Sequence, residues 1–201
     1  DLFLHGEFEL DLINEAMELL RHLSKRPRGE GTILDIGANN GVISIGMLAT
    51  GQLERAVAIE PEPVNFARME ENVRLNGFDN DILLKSCALS NRTADLELEL
   101  SGSNYGDHRV RAERSPSDAK DIFKESERPV IRVSSDTLDN LISTLPTRFS
   151  NDLVVTWIDV QGYEGYVFGG ARKLLAQGVP VVSEIWPYGI VRSGMAMEEF
   201  N

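Results

Sequence analysis

A glycine-rich turn between an apolar strand and an apolar helix constrains this fold more than any other feature. Residues 37–41 read Gly-Ala-Asn-Asn-Gly; they follow the apolar run 32–36 and precede a helical pattern that ends near Thr50. Glycines at such a turn let the backbone bend sharply and approach a ligand at the carboxyl edge of a sheet. The turn therefore predicts an α/β domain with a ligand site beside residues 37–41.

Strands and helices alternate along the rest of the chain. Short apolar runs predict strands over residues 56–60, 82–88, 130–133, 153–160 and 179–185, and helical patterns predict helices over residues 63–77, 137–145 and 164–177. Short buried strands that alternate with helices form parallel sheets that are covered on both sides. We therefore expect an α/β fold with a mostly parallel central sheet and helices on both faces. Residues 96–100 alternate Leu with Glu, which predicts an antiparallel or edge strand.

Two segments differ from this pattern. Residues 1–31 predict an N-terminal helical arm, with an amphipathic helix over about residues 9–25, ahead of a main domain at residues 32–201. Residues 101–129 are rich in Ser, Gly, Pro and mixed charges and contain few apolar residues. Because a structureless connection of this length is unusual in a compact domain, we interpret residues 101–129 as a partly mobile lid or substrate loop, called the lid segment below.

Composition excludes several classes of partner and site. The 201 residues include 32 acidic and 20 basic ones, a formal net charge of −12, which argues against binding of a nucleic acid and suits a cationic ligand. The single cysteine excludes an internal disulfide and a cysteine-based zinc cluster, and the three histidines fit no metal-ligand spacing, so no metal is expected at these residue types. The longest apolar stretch is too short to span a bilayer, and no signal peptide is visible, so we expect a cytoplasmic protein without a membrane partner.

Asp35 makes the glycine turn selective for one kind of cofactor. Nicotinamide-binding proteins favour G-x-G-x-x-G, whose amides hold a pyrophosphate, whereas the glycines here are spaced G-x-x-x-G and follow Asp35 directly. A carboxylate at this point would repel a pyrophosphate but can pair with the amino group of a methionine moiety. The turn therefore favours S-adenosylmethionine over NAD, and an NAD-dependent oxidoreductase remains the less favoured alternative.

Glu60 ends the predicted second strand, 19 residues after Gly41. An acid in that place lies at the topological switch point of such a sheet, where it can accept hydrogen bonds from both ribose hydroxyls. The alternative is a carboxylate that stabilises the N-terminus of the next helix, a role for which Glu62 is equally suited. We favour the ribose role because the turn at residues 37–41 precedes it.

Several acids and one histidine are candidates for the chemistry. Asp159 ends the predicted strand 153–160, so it should point into the cleft, where it could orient an acceptor, take its proton, or hold a metal with Glu184. For Glu164 a charge at a helix N-terminus is the favoured role, and Glu184 is evenly balanced between a chemical and a structural role. His108, in the lid segment, has a side chain suited to proton transfer near neutral pH, although a lone histidine in a polar loop is more often solvated.

The order of these segments resembles the FkbM-type methyltransferase family. The resemblance rests on Asp-Ile-Gly-Ala-Asn-Asn-Gly at residues 35–41, Glu60-Pro61 with Asn65 and Asn72, Ile-Asp-Val-Gln-Gly-Tyr-Glu at 158–164, Gly170-Ala171 and Glu184. It implies a Rossmann-like class I methyltransferase fold and transfer of a methyl group from S-adenosylmethionine, typically to a hydroxyl oxygen of a natural product or carbohydrate.

The resemblance also assigns roles to residues. Asp35, Gly37, Asn39 and Gly41 would hold the methionine part of the cofactor, Glu60 the ribose and Ala88 the adenine, with Asp159 beside the reactive sulfonium. Asp159 is the first candidate for the base that takes the hydroxyl proton, His108 the second, and Glu184 a further catalytic candidate.

Two departures from the family pattern bear on function. Gln161 stands where members commonly have an acid, and members commonly have a lysine near Trp157. The loss of the acid leaves fewer carboxylates in the cleft, which argues against a metal-dependent mechanism. Gln161 and the short C-terminus also leave a non-catalytic cofactor-binding domain as an alternative. The sequence predicts fewer sheet strands than members of the family have. We therefore expect either that C-terminal strands are missing from this chain or that its C-terminal arm contacts a partner, as in a homo-oligomer.

Overall fold

The strands and helices alternate along the chain as the sequence predicts. The computed structural model describes residues 10–24, 27–111 and 121–200, so parts of the predicted arm (residues 1–9, 25 and 26) and of the lid segment (residues 112–120) lie outside the described residues. In chain order the elements are α1 (Leu10–Ser24), β1 (Thr32–Ile36), α2 (Val42–Ala49), β2 (Arg55–Ile59), α3 (Pro63–Leu75), β3 (Ile82–Lys85), β4 (Ala88–Leu89), β5 (Ala94–Glu99), β6 (Arg109–Val110), a 3₁₀ turn (Glu125–Glu127), β7 (Val130–Asp136), α4 (Leu138–Thr144), α5 (Thr147–Ser150), β8 (Leu153–Ile158), α6 (Glu164–Gly169), α7 (Arg172–Ala176), β9 (Val181–Ser183), α8 (Pro187–Arg192) and α9 (Met197–Phe200).

A parallel sheet of five strands, in the order β3-β2-β1-β8-β9, forms the centre of the domain. Within it Asp35 is paired with Ala58 on one side and with Trp157 on the other, so β1 lies in the middle. Because all five strands run in the same direction, their carboxyl ends meet at one edge. The expected mostly parallel Rossmann-like sheet is confirmed.

Helices cover both faces of this sheet. One face packs Ile33, Ala56 and Ala58 against α1, α2 and α3, in a core that includes Ile13, Met47 and Met69. The other face packs Leu34, Val57 and Ile158 against α4 to α7, in a core that includes Leu138, Phe149 and Leu174. The alternation of neighbouring residues between the two cores follows from the two-residue period of a strand.

A second, smaller sheet joins β4, β7, β5 and β6 in that order. β5 pairs antiparallel with both β7 and β6, which agrees with the antiparallel prediction for residues 96–100. The predicted strand over residues 82–88 is wrong at its end: β3 stops at Lys85, and Ala88–Leu89 pairs instead with β7 of the second sheet. The chain therefore passes from one sheet to the other around Cys87.

The single helix predicted over residues 164–177 is also wrong, because the chain breaks into α6 and α7 at Gly170-Ala171. At Gly170 a Cβ atom would lie 2.1 Å from the carbonyl oxygen of Ser90, so a larger residue does not fit there. The carbonyl of Gly170 accepts a hydrogen bond from the amide of Asp139. The break lets the backbone of this segment pack directly on the end of β4 and the start of α4.

Among the helices of the described residues, none combines the length and the apolar character that a membrane span requires.

Replacing Gly170 by Ala tests this backbone contact. We expect Gly170→Ala to lower the free energy of unfolding by about 1–3 kcal/mol, since the added methyl group must push the Ser90 backbone away. Gly102→Ala is the matched control, because a Cβ atom there meets nothing within 4 Å and should change stability by less than about 0.5 kcal/mol. Urea unfolding measures both variants, and equal stabilities for the two would contradict the packing described here.

Candidate active site

Two adjoining clefts open at the carboxyl edge of the parallel sheet. The first encloses about 580 Å³ of empty space open to solvent, and its lining includes Ile59, Glu60, Ala88, Leu89 and His108. The second encloses about 1080 Å³, and its lining includes Asp35, Ala38, Asn40, Ile43 and Trp157. Both are lined by Gly37, Asn39, Gly106, Asp159 and Gln161, so the two clefts meet at the turn after β1.

The structure thus brings most of the predicted site residues together. Asp35, Gly37, Asn39, Glu60, Ala88, His108 and Asp159 all line one or both clefts. Gly41 and Glu184 line neither of them. Gly41 is instead the N-cap of α2, with a φ of 85° that favours glycine, and Glu184 lies further along the sheet edge, after β9.

Gly37 lets the turn after β1 lie directly on the end of β8. Its φ is 83°, and a Cβ atom there would lie 1.9 Å from the carbonyl oxygen of Asp159. The amides of Gly37 and Ala38 both donate to the carbonyl of Ile59, at 3.0 Å each. The turn is therefore held between the ends of β2 and β8, and any side chain at residue 37 would force these strand ends apart.

The Asp35 carboxylate is buried and ties the end of β1 to α2. Its Oδ2 accepts hydrogen bonds from the Ser44 amide at 3.1 Å and the Ser44 hydroxyl at 2.6 Å. Burial raises the pKa of Asp35 to about 6, with the nearby Asp159 charge acting in the same direction and the bonds from Ser44 opposing it. Ser44 was missed in the sequence; the signal for it is a polar residue in an otherwise apolar helical segment that follows the turn.

Glu60 joins the turn after β1 to the loop before α3 through its two carboxylate oxygens. Oε2 accepts from the Asn39 amide at 2.9 Å, and Oε1 accepts from the Glu62 amide at 2.8 Å. Burial raises the pKa of Glu60 to about 7, against the lowering effect of the two amides. The helix-capping role that was the alternative for Glu60 belongs to Glu62, whose carboxylate accepts from the Asn65 amide at the start of α3, at 2.7 Å.

The loop after β8 presents Asp159 to both clefts. Asp159 is exposed, and its Oδ1 accepts from the Gln161 side-chain amide at 2.7 Å. Gln161 and Gly162 both have positive φ values, 56° and 96°. Glu164, fully buried, holds this loop because its Oε1 accepts from the amides of Val160 and Gly162, at 3.1 Å each. Partial burial raises the pKa of Asp159, which makes its carboxylate a stronger base.

His108 faces the first cleft as a hydrogen-bond donor. Its Nδ1 accepts from the Ser101 amide at 3.0 Å, so the proton of the neutral ring is assigned to Nε2. Burial lowers the pKa of His108, which keeps the ring neutral near pH 7. Because the Nδ1 lone pair is engaged and Nε2 carries a proton, this geometry suits donation to a ligand better than the base role considered from the sequence.

The described part of the lid segment is fastened over the clefts by polar contacts. The Asn65 side-chain amide donates to the Tyr105 carbonyl at 2.8 Å, and the Arg68 guanidinium lies 4.4 Å from the centre of the Tyr105 ring. Tyr105 and the neighbouring Gly106 both line the first cleft. The lid segment at residues 104–108 thus rests on α3 and forms one wall of the site.

Buried ion pairs continue this attachment away from the clefts. Arg109, nearly inaccessible to solvent, contacts both Asp107 and Glu125 at 2.5 Å, and Arg128 contacts Asp107 at 2.6 Å. Arg192 of α8 contacts the same Glu125 at 3.3 Å. These pairs connect the two described ends of the lid segment to each other and to α8.

Comparison with protein families identifies a methyltransferase domain in this chain. The model of the FkbM methyltransferase domain matches residues 35–199, which include the turn after β1, Glu60, the loop after β8 and Glu184. No curated protein matches the sequence.

Comparison with solved structures supports the same fold. The methyltransferase FkbM of Methylobacillus flagellatus KT aligns with a TM-score of 0.52 and 20% identity, over 84% of this chain and 35% of that one. The chain therefore spans about a third of that protein's length. The tRNA methyltransferase TrmK of B. subtilis (TM-score 0.30, 16% identity, 35% and 30% coverage) and TrmK of M. capricolum in complex with S-adenosylhomocysteine (0.28, 19%, 33% and 30%) are too distant to carry an argument.

Removing the Ser44 hydroxyl tests the support of Asp35. Ser44→Ala takes away a donor that lowers the pKa of Asp35, so that pKa should rise further above about 6. A carboxyl group whose pKa is higher in the folded than in the unfolded state favours the folded state at low pH, where it is protonated. This stability is lost as the pH rises through the folded-state pKa, and a larger rise of the pKa makes the loss larger. We therefore expect Ser44→Ala to cost about 1–3 kcal/mol at about pH 8 and less at about pH 5.5.

The control for this prediction is Ser143→Ala on the exposed surface of α4, where the hydroxyl donates to the Asn140 carbonyl at 2.6 Å. Urea unfolding at the two pH values measures both variants. A destabilisation of Ser44→Ala that is independent of pH would contradict the described state of Asp35.

Proposed function

Because the chain belongs to the FkbM methyltransferase family, we propose that it transfers a methyl group from S-adenosylmethionine to a hydroxyl oxygen of a natural product or carbohydrate. The observation that carries this proposal is the pair of clefts that meet at Gly37, each with a buried carboxylate in its wall, Glu60 in one and Asp35 in the other. A ligand that occupies both clefts must be elongated, and it must be compatible with the negative charges of Glu60 in the first cleft and Asp35 in the second.

S-adenosylmethionine meets those requirements part by part. We place the adenine against the apolar wall of Ile59, Ala88 and Leu89 in the first cleft and the ribose hydroxyls at Glu60. The methionine part would then lie along the turn after β1 in the second cleft, with its amino group towards Asp35. The excess of acidic residues favours a cationic sulfonium ligand, whereas the pyrophosphate of NAD would meet the Asp35 carboxylate.

Asp159 and His108 are the residues we assign to the acceptor. When bound, S-adenosylmethionine supplies an activated methyl group, and the protein contributes alignment and proton transfer. The Asp159 carboxylate, with Oδ1 held by Gln161, would take the hydroxyl proton through Oδ2, and the Nε2 proton of His108 would hold an acceptor oxygen in the first cleft. Cys87 has no part in this scheme: burial raises its pKa to about 11, so the thiol stays protonated.

Ligand binding tests the cofactor assignment. In calorimetric titrations we expect S-adenosylmethionine and S-adenosylhomocysteine to bind one per chain and NAD not to bind. Asp35→Ala and Glu60→Ala should weaken binding at least about tenfold, or ~1.4 kcal/mol. Glu70→Ala, an exposed acid on α3, is the control and should bind as the wild type does. Binding of NAD, or of none of the three ligands, would overturn the proposal.

The pH dependence of S-adenosylhomocysteine binding tests the ribose role of Glu60. Ribose hydroxyls donate to an ionised carboxylate, and the pKa of Glu60 is raised to about 7. Affinity should therefore fall as the pH drops below about 7, by up to about tenfold per unit, and level off above it. Titrations between about pH 6 and pH 8.5 measure this profile, and a flat one would exclude an ionised Glu60 from the binding site.

The Asp159→Asn substitution separates chemistry from binding. The amide side chain cannot take a proton, so turnover on a hydroxylated acceptor should drop about 10²–10⁴-fold while S-adenosylhomocysteine still binds. The assay measures methyl transfer to an acceptor found by screening, next to binding by calorimetry. Full turnover of Asp159→Asn would remove this residue from the chemistry; cofactor binding by the wild type without turnover on any acceptor would favour a non-catalytic domain.

A further inference from the structure

Three carboxylates cluster at the sheet edge next to the second cleft. Asp159, Glu164 and Glu184 each offer one carboxylate oxygen, and these three oxygens all lie within 4.8 Å of one another. We propose that this cluster is a binding site for a hard divalent cation such as Mg²⁺ or Mn²⁺. Binding of the cation does not depend on the proposed methyl transfer, because the three residues come together in the folded chain itself.

The topology of the sheet creates this cluster. β8 and β9 are parallel neighbours with Ile158 paired to Ser183, so the residues that follow, Asp159 and Glu184, leave the sheet side by side. The Glu184 amide donates to the Ile158 carbonyl at 3.3 Å, which extends the pairing by one residue. Glu164 returns to the same place in the first turn of α6. Asp159 and Glu184 therefore follow two paired strand ends directly, and Glu164 is the first residue of α6.

Glu164 supplies the observation that points to a ligand. It is 0% exposed, and its Oε1 is held by the amides of Val160 and Gly162. Its other oxygen, Oε2, is buried and accepts no hydrogen bond within the described part of the chain. A buried carboxylate oxygen without a partner is costly, and such atoms are rare in folded proteins. Oε2 is the oxygen that remains for a cation.

Two of the three carboxylates, Asp159 and Glu164, form no ion pair with a basic side chain of the described residues. Like charges at this separation repel, and the Asp159 charge adds to burial in raising the pKa of Glu164. A bound cation would reverse this repulsion and lower the pKa of both groups.

The donor set selects the class of ion. The cluster contains only carboxylate oxygens, which favour Mg²⁺, Mn²⁺ or Ca²⁺ over the softer metals that prefer nitrogen and sulfur ligands. Asp159 and Glu184 are exposed, which leaves room for the water ligands that Mg²⁺ and Mn²⁺ retain.

Titration of the cofactor-free protein with Mn²⁺, followed by electron paramagnetic resonance, tests this site. We expect one Mn²⁺ per chain with a Kd below about 10⁻³ M. Glu184→Gln and Asp159→Asn should each weaken binding at least about tenfold, while Glu70→Gln, the exposed control on α3, should leave it unchanged. Glu164 is not substituted, since it also holds the loop after β8.

Gln161→Glu provides a second, opposite test. The Gln161 side chain lies 2.7 Å from Asp159 Oδ1, so a carboxylate there adds a charge to the cluster and should tighten Mn²⁺ binding several-fold. Failure of the wild type to bind one Mn²⁺ at millimolar concentration, or equal binding by Glu184→Gln, Asp159→Asn and the wild type, would overturn the proposal. Neither result bears on cofactor binding, which is measured without the metal.

Discussion

Buried carboxylates that accept hydrogen bonds from backbone amides hold the loops at the carboxyl edge of this sheet. Glu60 accepts from the amides of Asn39 and Glu62, and Glu164 accepts from those of Val160 and Gly162. Each acid thus fixes the loops beside it by satisfying amides that would otherwise be buried without partners. The clefts exist because these loops cannot collapse into the space between them. Burial has an electrostatic cost, visible in the raised pKa values of both acids, and a cationic ligand or ion offsets that cost.

The second sheet completes the site from the other side. β4 carries Ala88 and Leu89 into the wall of the first cleft, and the lid segment leaves β5 and returns as β6 with His108 directly before it. Ion pairs around Arg109 and Glu125 then connect this segment to α8. The parallel sheet therefore positions Asp35, Glu60 and Asp159, while the second sheet carries Ala88, which we assign to the adenine, and positions His108, which we assign to the acceptor.

Much of this arrangement could be predicted from the sequence, for a simple geometric reason. Residues that follow parallel strands meet at one edge, so recognising the strands before Gly37, Glu60 and Asp159 was enough to place them together. The exchange of β4 into the second sheet could not be predicted, because it depends on pairing with β7, far along the chain. The break at Gly170 and the hydrogen bond of His108 Nδ1 likewise depend on the positions of Ser90 and Ser101, which local patterns do not contain. The sequence suggested Asp159 and Glu184 as a pair of metal ligands, whereas the presence of Glu164 in the same cluster became visible only in the structure.

The most direct test of the account is a crystal structure of the protein with S-adenosylhomocysteine. The ribose hydroxyls should lie within hydrogen-bond distance of Glu60, the adenine against Ala88 in the first cleft, and the amino group towards Asp35 in the second. A ligand bound outside these clefts, or one that lies in them with its ribose away from Glu60, would contradict the assignment on which the proposed methyl transfer rests.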